Sequence, residues 1–118
     1  PLELERTKSW NYSMLNLEAL MQLASLGEHC GVDLWSYATT DGRNLQKAID
    51  FILPAALGKA TWKHRQITRM EVERMYAVLR VAARKLKLPR FAEAANRIPG
   101  FKPEADRANF LFLDPASN

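Results

Sequence analysis

Cysteine is almost absent. Cys30 stands alone in 118 residues, so no intrachain disulfide can form, and with only two histidines, His29 and His64, it cannot complete a four-ligand Cys/His zinc site. Structural zinc and a disulfide scaffold are both excluded, and no cofactor is expected in this chain. Long apolar runs are missing too: Glu18, Gln22, Asp50 and Arg80 interrupt the greasiest stretches well short of the roughly 20 residues a membrane span needs. Sustained apolar/polar alternation rich in β-branched residues does not occur, which argues against a sheet. No segment repeats at a fixed period. The opening PLELERTKSW has neither an initiator Met nor the basic-then-apolar layout of a signal peptide, so the natural chain is expected to begin upstream.

What remains is the composition of a packed domain, with 47% hydrophobic and 25% charged residues and a net charge of +4. The charge is unevenly placed. Residues 63–90 hold nine Lys and Arg against Glu71 and Glu73, a net +7, which leaves −3 for the rest of the chain. Such a segment suits either a solvated helix surface or contact with an anionic partner.

Periodicity predicts a helix over 12–29, with Met14, Leu17, Met21 and Ala24 at three- and four-residue steps beside Leu20 and Leu23. Glu18, Gln22, Ser25 and Glu28 fall opposite, and Gly31 is placed to end the helix in a left-handed cap. Trp35 and Tyr37 follow in a loop that closes on Asp41-Gly42, whose Asp can cap the next helix, 43–56. Pro54 argues against a straight continuation beyond it. A third helix is expected over 69–87, with Val72, Met75, Leu79, Ala82 and Leu86 as its apolar stripe and Arg69, Arg80, Arg84 and Lys87 on another face. Leu88-Pro89 stops it, and a short helix over 90–97 precedes an apolar tail at 110–113 expected to dock on the body. The class is all-α, and loops this long suit the helical hairpins of a larger array, an incomplete α/α toroid with apolar faces left exposed.

Three stretches carry a resemblance: ELERTKSWNYSMLNLEALMQLASLGEHCGVDLW, then DGRNLQKAIDFILP, then TWKHRQI. Together they resemble the C-terminal portion of the alginate lyase family, polyuronate lyases built on an α/α toroid. The resemblance implies that 1–118 is the C-terminal part of one catalytic domain whose N-terminal part lies elsewhere, and that the complete enzyme cleaves alginate or a related polyuronate by β-elimination. It also implies a periplasmic or secreted setting and an anionic polysaccharide partner, with no membrane contact.

Elimination makes separable demands. The uronate carboxylate must be neutralised so that the C5 proton becomes acidic, a base must take that proton, and an acid must meet the leaving oxygen as the C4–O bond breaks. In the family a Tyr after an Arg-containing block serves as base and acid, and the matching residue is Tyr12. A phenol titrates at about pH 10 in isolation, so it needs a positive field or a concerted transfer. Arg6, and beside it Lys8, can supply that field. The neighbouring Ser9, Trp10 and Asn11 are candidates for substrate binding. In the best-characterised branch the Arg lies one residue further from the Tyr than Arg6 does from Tyr12. The family's upstream Asn-His pair has no counterpart here, because His29 follows Glu28 and His64 follows Lys63, so this chain alone is expected to be inactive.

Each of these residues has a plainer role open to it. Tyr12 can be a half-buried helix aromatic, Arg6 can pair with Glu3 or Glu5, and Trp35, Tyr37 and Trp62 can anchor loops instead of stacking on sugars. His64 can be merely solvated, and Cys30 a small buried hydrophobe. Two other functions remain. One is a non-catalytic helical interaction scaffold. The other is a basic module binding nucleic acid through Arg69, Arg80, Arg84 and Lys87, a weaker reading because helix-turn-helix spacing, a phosphate loop and interleaved aromatics are all missing.

Overall fold

The structure, a computed structural model, describes residues 2–100. The apolar tail at 110–113 and its expected docking lie outside the described residues. Those described are helical with no strand; the one β-type contact is an isolated antiparallel bridge between Lys8 and Gln66. A 3₁₀ turn, Leu2–Glu5, leads into α1, Ser9–His29; α2 is Leu45–Ala56, α3 is Met75–Lys85 and α4 is Pro89–Ala95. The body measures 39 × 38 × 21 Å, a slab two helices thick.

The ends of these helices follow from backbone hydrogen bonding. At the close of α1 the Val32 N–H reaches the Gly27 carbonyl at 2.8 Å and the Gly31 N–H reaches Glu28 at 3.2 Å, with Gly31 at φ 74°, a Schellman ending. The chain turns back so closely there that a Cβ on Gly27 would stand 2.8 Å from the Val32 carbonyl oxygen. The same motif ends α3, where the Leu88 N–H meets the Ala83 carbonyl at 3.0 Å, but its left-handed position is Lys87, at φ 57°. Pro89 then opens α4 at a position where a missing N–H costs nothing.

Several expectations shift. Asn44 and not Asp41 caps α2, accepting from the Lys47 N–H at 2.8 Å; Asp41 is engaged by the Thr39 hydroxyl and by Arg43 Nε at 3.1 Å. The end of α2 at Ala56 is as expected, with Pro54 inside its last turns, where the missing N–H leaves only the Asp50 carbonyl without a helical donor. The third helix starts later than 69, because the Val72 N–H turns back to the Met70 carbonyl at 2.9 Å and a 3₁₀ turn, Val72–Arg74, comes first. Arg69 and Lys87 therefore lie beyond the two ends of α3 and do not share a helix face with Arg80 and Arg84.

The core is continuous: Trp10, Met14, Leu17, Met21 and Ala24 of α1 meet Ile49 and Ile52 of α2, Met75, Leu79 and Ala82 of α3, and Phe91 and Ala95 of α4. On α1 the expected stripe of Met14, Leu17, Met21 and Ala24 is the inward face, but that face is narrower than expected. Leu20 and Leu23 are exposed along with Leu15 and Leu26, while Glu18 and Glu28, expected to be solvated, turn toward α3. Glu18 accepts from Arg74 Nε at 3.2 Å and Nη2 at 2.6 Å, and Glu28 pairs with Lys85 at 2.8 Å. Trp35 is buried, whereas Cys30, expected inside, is exposed because it occupies the C-cap of α1 and not its inward face.

Candidate active site

Residues 6–12 fold against 65–68, and this pairing builds the site. Across the Lys8–Gln66 bridge, the Ser9 N–H donates to the Arg65 carbonyl at 3.1 Å and the Ile67 N–H to the Thr7 carbonyl at 3.0 Å. Two short segments distant in sequence are thus tied at the N-terminus of α1, a helix end that carries no side-chain cap of its own.

Arg6 and Tyr12 meet on the outer side of this end. The Arg6 guanidinium carbon sits 4.6 Å from the centroid of the Tyr12 ring, and its Nη2 donates to the phenolic oxygen at 3.4 Å. Tyr12 is 37% exposed, so the side chain is not part of the core. The contact arises because the Tyr12 N–H bonds the Lys8 carbonyl at 3.0 Å, closing the first helical turn, while the preceding 3₁₀ turn bends Arg6 back over it. Arg6 makes no ion pair with Glu3 or Glu5 among the described contacts, so the guanidinium keeps donors free for an anion.

Ser9 and Trp10 are elsewhere. Both are wholly buried, and neither can touch a polymer. The Ser9 hydroxyl donates to the Arg65 carbonyl at 2.7 Å and accepts from Trp62 Nε1 at 2.8 Å, while the Trp10 ring packs edge-on to Trp62 at 5.2 Å. Their types suit sugar recognition, but position decides: they face the core side of α1 and hold the 62–66 segment in place. Lys8 is exposed at the helix N-cap and Asn11 half-exposed in its first turn, so these two remain available to substrate.

Gln66 is the residue that sequence reasoning missed. Its Oε1 accepts from the Trp10 backbone N–H at 2.9 Å, and its Nε2 donates to Asn11 Oδ1 at 2.8 Å and to Thr68 Oγ1 at 3.2 Å. The only sign of it in the sequence is its place within TWKHRQI. Trp62 in turn packs edge-on to His64 at 5.1 Å and to Phe51 at 6.0 Å, so His64 belongs to an aromatic cluster and is not simply solvated.

Beside the Tyr12 turn opens an apolar groove of about 750 Å³ between α1, α2 and the 34–44 loop, with Ser13 and Asn16 at the Tyr12 end and Leu20, Tyr37 and Phe51 along its walls. Tyr12 borders this groove through its neighbours and does not itself line it. Among the described residues no cluster of three His, Cys, Asp or Glu could hold a metal, and no helix is long and apolar enough to cross a membrane.

The sequence model of the alginate lyase family matches residues 1–62, over half the chain and all of the Arg6–Tyr12 segment. The chain belongs to the alginate lyase family. Its fold is similar to part of an alginate lyase from Bacteroides ovatus, with a TM-score of 0.86 at 24% identity over 97% of this chain. This chain spans 31% of the length of that lyase. No curated protein matches. The all-helical slab with uncovered apolar faces is thus a helical-hairpin portion of an α/α toroid.

Proposed function

We propose that this chain is the C-terminal part of a single catalytic domain that cleaves alginate or a related polyuronate by β-elimination. The observation that carries the reading is the Arg6–Tyr12 pair, with a part-exposed phenol side chain against a guanidinium that still has free donors, inside the segment matching the family. In this reading the transfer is concerted: the Tyr12 oxygen takes the C5 proton of the uronate as its own hydroxyl proton passes to the leaving glycosidic oxygen, the electron pair of the C5–H bond forms the C4=C5 double bond, the C4–O bond breaks, and the phenol is left as it began. Arg6 faces the uronate carboxylate, so that the negative charge developing from C5 is met by a fixed cation in a site already shaped for it. Lys8 and the Asn11 amide bind the sugar's oxygens.

A periplasmic or secreted setting is part of the same proposal and rests on the family relationship alone. The basic segment 63–90 adds little to the reading, since Arg69, Arg74, Lys85 and Arg90 are already paired with Glu73, Glu18, Glu28 and Asp50. Against the nucleic-acid module, Arg69 and Lys87 lie beyond the ends of α3 and so do not form one basic face with Arg80 and Arg84. The test is the ultraviolet absorbance of the unsaturated uronate, followed for the natural full-length protein on a panel of polyuronates. Absorbance should rise on at least one polymer, and Arg6→Ala should raise KM and lower kcat together, because an unneutralised carboxylate is felt in both ground and transition states. No signal from the wild-type protein on any polyuronate would leave the scaffold reading in its place.

A further inference from the structure

The hydrogen bonds around Gln66 have a forced direction. A backbone N–H can only donate, so the Trp10 N–H at 2.9 Å fixes the facing atom of Gln66 as its carbonyl oxygen. The Gln66 NH2 must then point the other way, where its two hydrogens go to Asn11 Oδ1 and Thr68 Oγ1. Asn11 Oδ1 is thereby held as an acceptor, and the Asn11 NH2 is left without a partner among the described residues. One peptide N–H in the buried first turn of α1 thus sets the orientation of two side-chain amides in succession, the second of them adjacent to Tyr12.

We propose that Gln66 is a positioning residue for the Arg6–Tyr12 centre, holding Asn11 so that its NH2, and not its carbonyl, faces an anionic sugar. The proposal rests on the lyase reading above for the nature of the ligand, but not for the orientation itself. A polyuronate is rich in acceptor oxygens, so an outward amide NH2 adds to the Arg6 field, whereas an outward carbonyl would repel the same carboxylate. Gln66 never touches the polymer. It acts through Asn11 and through the turn that carries Tyr12.

Gln66→Glu separates this role from a purely structural one. The new carboxylate still accepts from the Trp10 N–H, but it has no hydrogen for Asn11 Oδ1, so the Asn11 amide turns over and presents its carbonyl outward. Folding should be preserved, while KM for the polyuronate rises roughly ten- to hundred-fold with a smaller change in kcat. Asn11→Asp, which keeps the acceptor for Gln66 and turns an anion outward, should raise KM in the same way even if Gln66→Glu folds poorly. Hydrogen exchange of the side-chain amides in 15N-labelled protein reads the orientation with no substrate present. The Gln66 NH2 should be protected and the Asn11 NH2 should exchange freely, with the Asn11 NH2 becoming protected in Gln66→Glu. A protected Asn11 NH2 in the wild-type protein, or wild-type KM in both variants of an active enzyme, overturns the proposal. If the wild-type protein eliminates no polyuronate, the lyase reading fails, and the exchange measurement alone decides whether Gln66 orients Asn11.

Discussion

Ser9 illustrates how much one buried hydroxyl holds. It accepts from Trp62 Nε1 and donates to the Arg65 carbonyl, so both partners lose a bond when it is removed. Ser9→Ala should therefore destabilise by about 1–3 kcal/mol, the cost of leaving a largely buried donor unpaired, measured by urea unfolding. The same variant should reduce activity of the full-length protein, because the 62–66 segment fixes the start of α1. At this scale the site was only half legible in the sequence. Arg6 and Tyr12 stood out through resemblance, and both are exposed at one helix end. Ser9 and Trp10 were of the right type for sugar binding, but residue type does not report which side of a helix end faces the core. Gln66 was invisible because its role depends on a partner 56 positions away.

Helix ends give the sharpest tests at the scale of elements. Lys87 adopts the left-handed conformation that Gly31 and Gly58 adopt at the ends of α1 and α2. Lys87→Gly relieves about 1–2 kcal/mol of steric cost, less about 0.4–1 kcal/mol for the added freedom of the unfolded chain, and should raise the unfolding midpoint. Gly27→Ala should do the opposite, by about 1–3 kcal/mol, because the neighbour its Cβ meets at 2.8 Å is backbone and cannot swing aside. The three main helices were legible from periodicity. Their caps were less so, and on α1 the inward stripe was legible but its width was not: leucines continue around the outer circumference, and Glu18 and Glu28 mark its polar side only until Arg74 and Lys85 are seen to meet them.

Across the whole molecule, carboxylates tie elements and loops together. Lys85 holds Glu28 below the usual carboxylate range, the Ser36 hydroxyl does the same for Asp33, Thr39 for Asp41, and Arg69 for Glu73. Because these folded values lie below the ordinary 4.5 for Glu and 3.8 for Asp, their contribution is present above those values and is lost as pH falls through the lowered ones. Urea midpoints should thus hold steady from neutral pH down to about 4.5 and fall below it. High salt should blunt the share carried by the Lys85–Glu28 and Arg69–Glu73 ion pairs and leave the hydroxyl-held share of Asp33 and Asp41.

The uncovered leucines are the other whole-molecule feature. Leu15 is 57% and Leu26 61% exposed on the outer side of α1, an apolar face that a larger toroid would cover. The 118-residue chain by itself should associate with rising concentration in sedimentation velocity, and Leu15→Lys with Leu26→Lys should return it toward monomer. The fold class was readable from patterning because it depends on local periodicity. Which helix faces await partners was not, since that depends on packing between hairpins.

The most direct test of the central claim is Tyr12→Phe in the natural full-length protein. The ring stays under the Arg6 guanidinium, so folding and polymer binding should be retained, while the oxygen that exchanges protons with C5 and the leaving group is gone. Turnover, read from the unsaturated uronate's absorbance, should fall by roughly a hundred- to ten-thousand-fold at unchanged binding affinity. A Phe variant that eliminates at the wild-type rate would contradict the assignment of Tyr12 as the acid and base.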